Sequence, residues 1–224
     1  LNGLIFLLGF REEADVVLLM SLVISLALMF PVWSGSLALF LSGCLMGFLM
    51  ELVGIRYGIP FGRYRYLSFH GVSLGGVPIP IVIAWGLYLY TAYLPSLSID
   101  ARAWRIAYTS LLMVILDMAA DPVMVERGIW IWESSGPWFG IPTSNFSGWF
   151  ITSALAVTLF ELVVDSAPPE CTSRLVYAPY IASFFPLASL SGPKSAFAVA
   201  LSLSLAIIVL VIMHELTQRA LSRS

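Results

Sequence analysis

The sequence predicts an all-α fold, a polytopic transmembrane helix bundle of about seven spans with an N-terminal helical stub. Three observations predict it. Of 224 residues, 59% are hydrophobic and only 11% are charged, against about 45–50% and about 25% in ordinary soluble domains. The mean hydropathy is +0.93. Apolar runs long enough for a hydrocarbon layer of about 30 Å recur along the chain, separated by clusters of charged residues, Pro and Gly. Such spans use nearly all of the length, so residues 1–224 read as one integral membrane domain of the cell membrane. The 11 Lys plus Arg against 13 Asp plus Glu give a net charge of −2, too little positive charge to build a surface for nucleic acid.

Each element follows from the apolar runs. Residues 1–10 are apolar but too short to span, and they lack the basic region and small-residue cleavage pattern of a signal peptide, so they read as a helical stub. The first full span is expected at 15–31 and the second at 36–54, joined tightly through Trp33–Gly35. Within the second, Gly43 and Gly47 form a small-xxx-small pair suited to close helix contact. Residues 56–76 form a long polar connection with Arg56, Arg63, Arg65 and three tyrosines. Spans follow at 77–94, 103–124 and 145–164, with a second long connection at 125–144 that is rich in Trp, Gly and Pro. Residues 177–190 contain Pro179 and Pro186 and fit either a kinked span or a re-entrant segment. The last span is expected at 196–214. The three arginines of the first long connection, with Arg127, favour that side as cytoplasmic.

A carboxylate at hydrocarbon depth must face the bundle interior, find a partner or take up a proton. Glu51 ends an apolar run. Asp117 and Asp121 stand four residues apart and share one helix face, and Pro122 after the second is expected to loosen or end the helix. Two poorly hydrated carboxylates this close tend to share a proton, which makes a general acid. Glu161 and Asp165 repeat the spacing, but the prolines that follow mark an ordinary exit to the interface. Aromatic residues gather after Asp121: Trp130, Trp132, Trp138, Phe139, Phe146 and Trp149, with Asn145 among them. Belts of Trp and Tyr occur at any membrane boundary. A belt does not need the interspersed Gly128, Gly136, Pro137, Gly140 and Pro142, which prescribe a folded loop. Aromatic faces beside an acid suit a long apolar substrate that develops positive charge.

Other chemistries find little support. Cys44 and Cys171 make neither a disulfide framework nor a CxxC motif, and His70 and His214 spell no metal motif. The glycines of SLGGVPIP match neither GxGxxG nor GxxxxGK. Acid clusters of the DDxxD kind, which would hold Mg²⁺ for prenyl-diphosphate chemistry, do not occur.

Three blocks, MELVGIRYGIPFGRYRY (50–66), DMAADPVMVERGIWIW (117–132) and GPWFGIPTSNFSGW (136–149), resemble the membrane carotenoid-biosynthesis family that includes bisanhydrobacterioruberin hydratases and carotenoid 1,2-hydratases. The resemblance implies a hydro-lyase without cofactor or metal, which adds water to the terminal double bond of a linear carotenoid and forms a tertiary alcohol. It implies Glu51, Asp117 and Asp121 as catalytic carboxylates with Tyr64, Trp132 and Asn145 beside them, and the aromatic residues Tyr66, Trp130, Trp138, Phe146 and Trp149 complete the expected substrate-binding set. The implied partners are a long apolar carotenoid, membrane lipid and other carotenoid-pathway enzymes. The alternative is a nonenzymatic carotenoid- or lipid-binding or transport protein; for a transporter the Pro-broken 177–190 would serve, but no internal repeat accompanies it.

Overall fold

A computed structural model of the chain describes residues 35–67, 72–164, 174–184, 187 and 193–221. The helical stub, the span at 15–31, His70, Asp165 and Cys171 lie outside the described residues. Five helical segments are long and apolar enough to cross a membrane, and the protein is a multi-pass integral membrane protein. They are α1 (Gly35–Tyr57), α2 (Ile79–Tyr93) with its 3-10 extension Leu94–Ser98, α3 (Arg102–Glu126), α4 (Thr143–Val163) and the membrane part of Lys194–Leu221. The count of about seven spans therefore becomes five among the described residues. In the ambiguous stretch 177–190, the described residues include the end of a 3-10 turn (Arg174–Tyr177), the five-residue helix α5 (Ala178–Ala182) and helical positions at Phe184 and Leu187; whether the stretch spans or re-enters lies outside the described residues. Lys194–Leu221 is α6.

Glycine sets the closest helix approach. A Cβ on Gly43 of α1 would come within 2.9 Å of the Gly86 Cα of α2, and one on Gly86 would meet the Phe40 carbonyl oxygen at 2.7 Å. Without side chains at both positions the backbones of α1 and α2 close on each other, as small residues permit in membranes. Gly47, one turn further on, lies directly beneath the Trp85 side chain. The opposite face of α1 exposes Leu37, Leu41, Leu45 and Leu49, a four-residue repeat that suits lipid.

Of the two outcomes expected for Pro122, loosening or ending the helix, the second does not occur: α3 continues to Glu126. Proline has no N–H to offer the carbonyl four residues earlier, Met118. That carbonyl instead accepts a hydrogen bond from Trp138 Nε1 at 3.0 Å. The loop that carries Trp138 is shaped for the task. It folds back through bridges Gly136 to Gly140 and Trp138 to Ile141, and any Cβ at Gly136 would collide with the Ile141 carbonyl.

The long connections are more than boundary loops. Tyr64–Tyr66 (β1) pairs antiparallel with Trp130–Trp132 (β4), in the register Tyr64 to Trp132, Arg65 to Ile131 and Tyr66 to Trp130. The ladder extends through Leu67 N–H to the Ile129 carbonyl and Glu133 N–H to the Arg63 carbonyl, both 2.9 Å. Between them, Ser73–Leu74 (β2) and Val77–Pro78 (β3) form a hairpin turned by Gly75 and Gly76, whose φ values of 60° and 91° are ones glycine adopts without strain. Sequence reading placed no strands here.

At the other end of the bundle Glu161 ties α4 to the α2–α3 turn. Its carboxylate meets Arg102 Nε at 2.8 Å and Arg105 Nε at 3.0 Å, and it accepts from Tyr93 OH at 3.1 Å. Glu161 is thus ion-paired near the end of α4 and does not line the cavity described below.

Candidate functional site

Three carboxylates and one amide are almost fully removed from the surface: Glu51 is 7% exposed, Asp117 1%, Asp121 2% and Asn145 2%. Burying such groups is costly unless hydrogen bonds replace water, and these are mostly supplied. Glu51 comes from α1 and receives three donors. Tyr64 and Tyr66 of β1 donate their hydroxyls to Oε2, Tyr66 at 2.9 Å, and Trp85 of α2 donates Nε1–H to Oε1 at 3.0 Å. Burial, and next the Glu51 carboxylate, push the phenols of Tyr64 and Tyr66 well above the ordinary tyrosine range.

Asp117 and Asp121 face the start of α4. A single nitrogen, Asn145 Nδ2, donates to Asp117 Oδ2 at 2.6 Å and to Asp121 Oδ2 at 2.7 Å, so the amide clamps the pair. Asp121 Oδ1 also accepts from Trp130 Nε1 at 2.7 Å. Asp117 Oδ1 is buried and accepts no hydrogen bond. The helical spacing thus aligns the two acids, and the asymmetry between them comes from β4.

Both groups open on one cavity. The alternation of β1 and β4 turns Tyr64, Tyr66, Trp130 and Trp132 towards it and leaves Arg65 and Ile131 exposed on the outer face, so the sheet is its roof. Trp149 of α4 stacks on Trp85 with ring centroids 4.0 Å apart and 26° between planes. Tyr64 packs against Trp132 at 5.1 Å. The wall is largely aromatic hydrocarbon with carboxylates set into it.

Of the residues singled out in the sequence, Glu51, Asp117, Asp121, Tyr64, Tyr66, Trp130, Trp132, Asn145 and Trp149 line this cavity. Trp138 and Phe146 do not. Trp138 is spent on the Met118 carbonyl, and Phe146 is half-buried elsewhere on α4. Sequence reasoning missed Phe61, Trp85 and Tyr88. Trp85 carried a usable signal, because it interrupts an apolar run well inside a span, where a boundary aromatic has no reason to sit. Among the described residues no group of three or more His, Cys, Asp or Glu is arranged to hold a metal ion.

Residues 13–213 match the sequence profile of a family described as carotenoid biosynthesis protein. The chain belongs to the carotenoid biosynthesis protein family. Within it, a stretch of 124 residues is 31% identical to bisanhydrobacterioruberin hydratase of Haloarcula japonica. That match covers 53% of this chain and 42% of the relative, so the chain spans less than half of the relative's length. No solved structure matches. The three blocks that carried the resemblance in the sequence lie within the matched range and supply much of the cavity: 50–66 gives Glu51 and β1, 117–132 the acid pair and β4, and 136–149 the Asn145 clamp.

Proposed function

We propose that this protein is a carotenoid hydratase, which adds water across the terminal carbon–carbon double bond of a linear carotenoid to give a tertiary alcohol. The observation that carries the reading is the Asp117–Asn145–Asp121 clamp, set at membrane depth in an aromatic cavity. An alkene has no polar handle, so its hydration needs a proton donor, a surface that tolerates a carbocation, and an oriented water.

Asp121 accepts donors on both oxygens, whereas Asp117 has one oxygen without a hydrogen bond, so the reading places the transferable proton on Asp117. In the proposed reaction Asp117 gives this proton to the less substituted alkene carbon. The π electrons form the new C–H bond and leave a tertiary cation. Rings of Trp85, Trp149 and Tyr64 face that charge through their electron-rich surfaces. Water, oriented by the Glu51 carboxylate, then forms the C–O bond, and its surplus proton returns to the Asp117–Asp121 pair. One water is consumed and the pair is restored.

The test is purified protein in liposomes loaded with an acyclic carotenoid, with products separated by chromatography and weighed. The reading expects a product heavier by the mass of one water per processed end, formed without added redox cofactor. Undiminished hydration by both Asp117→Asn and Asp121→Asn overturns the acid pair. A carotenoid that binds but is never converted replaces the hydratase with a carrier.

A further inference from the structure

The cavity is closed on most sides by contacts already described. The α1–α2 seam is shut where Gly43 meets Gly86 and where Trp85 covers Gly47. Phe61 blocks the side between α1 and α4, since a Cβ on Gly148 would come within 3.1 Å of its backbone, and the Trp85–Trp149 stack continues that wall. Asn145 bridges the α3–α4 seam through the two aspartates. The β1–β4 sheet forms the roof.

Among the described residues, one seam has no such closure. Where α2 passes α3 beneath the sheet, the wall consists of Ile81 and Ala84 on one side and Ala120 and Met124 on the other. Ile81, Ala84 and Met124 are half-buried, as are Tyr66, Trp130 and Trp132 of the roof and Trp149 of α4, whereas Ala120, Glu51, Asp117, Asp121 and Asn145 are buried. Two of these four lip residues are alanines, and a third is methionine, whose unbranched side chain adapts to what it contacts. No residue of α6 lines the cavity.

We infer that the α2–α3 seam is a lateral port, through which a linear polyene enters end-first from the bilayer and leaves its tail among lipid while its end group sits at the acids. The inference rests on the polyene reading of the site and adds the route, the orientation and the residues that set the port's width. A port facing hydrocarbon spares the apolar substrate any passage through water. Each end of a symmetric carotenoid is then processed in a separate visit.

Photolabelling tests the port without requiring turnover. Ile81→Cys, Met124→Cys and the lipid-facing control Leu45→Cys, built on Cys44→Ser and Cys171→Ser, each carry a small diazirine in liposomes that contain an acyclic carotenoid. The port predicts several-fold more carotenoid adduct at positions 81 and 124 than at 45, with adducts along the chain rather than at its end. Ala84→Leu with Ala120→Leu is predicted to lower adduct yield at position 124 and to weaken the induced circular dichroism of the bound polyene. Equal labelling at all three positions, or unchanged binding by the leucine pair, overturns the port. Port labelling without any hydration overturns the proposed reaction and leaves the port standing.

Discussion

Tyr66 and Trp130 are partners across the β1–β4 ladder, and each donates a hydrogen bond to a different buried carboxylate: Tyr66 to Glu51 at 2.9 Å, Trp130 to Asp121 at 2.7 Å. Two short strands from distant connections therefore couple the two acid centres of the cavity. Each is only three residues long, and such a ribbon is marginal unless something packs beneath it. The carboxylates and the aromatic wall supply that support.

Breaking the ribbon should disable the site without dissolving the bundle. Ile131 holds the central register position opposite Arg65, and its side chain is exposed. Ile131→Pro removes a strand N–H while sacrificing little side-chain packing. Helical circular dichroism is expected to stay near wild type while hydration is lost. Wild-type turnover would show that the sheet does not position the acids.

The two aspartates should not be equivalent. Asp117→Asn removes the proposed donor and is expected to lower turnover by about 10²–10⁴-fold, the usual range for a lost general acid. Asp121→Asn removes its partner and should cost less. Both variants are expected to retain polyene binding, read from induced circular dichroism. The reverse order of rates moves the donor to Asp121.

Tyr64 and Tyr66 give the stability a defined alkaline limit. Their folded pKa values lie above the unfolded value of about 10. Below that pH both states hold the phenolic protons and no pH dependence arises. As pH rises through about 10 the unfolded chain gives up protons that the folded one keeps, so stability falls. Melting temperature measured across this range should decline for the wild type, and more gently for Tyr64→Phe. Tyrosinate absorbance from these two residues should appear only with unfolding.

Trp138→Phe separates support from chemistry. It strips the donor from the Met118 carbonyl that Pro122 leaves free, and an unsatisfied buried carbonyl costs about 1–3 kcal/mol. Thermal stability is expected to drop, with the product pattern of the remaining folded protein unchanged. Altered product ratios at full stability would return Trp138 to the substrate's surroundings.

Most of the membrane architecture was legible because it rests on composition. A span announces itself by some twenty apolar residues, and α1, α2, α3, α4 and α6 all begin and end near the runs that mark them. Glu51, Asp117 and Asp121 stood out for the related reason that charge is scarce. The β1–β4 pairing was hidden, because YRY and WIW are too short to show an alternation and look like an aromatic belt. Trp85 could be singled out by its place inside an apolar run, but its partner could not, because only long-range folding brings its N–H to Glu51. Whether Pro122 loosens or ends its helix was not legible locally, because the donor to the Met118 carbonyl comes from twenty residues further along the chain.

The proposal that this cavity hydrates an alkene is tested most directly with water labelled in oxygen-18. Purified protein in liposomes is given an acyclic carotenoid in labelled water, and the product is weighed beside an Asp117→Asn control. The account predicts an alcohol whose new oxygen comes from the solvent, formed by the wild type and nearly absent with the variant. A carotenoid bound in the cavity yet recovered with its mass unchanged would contradict it.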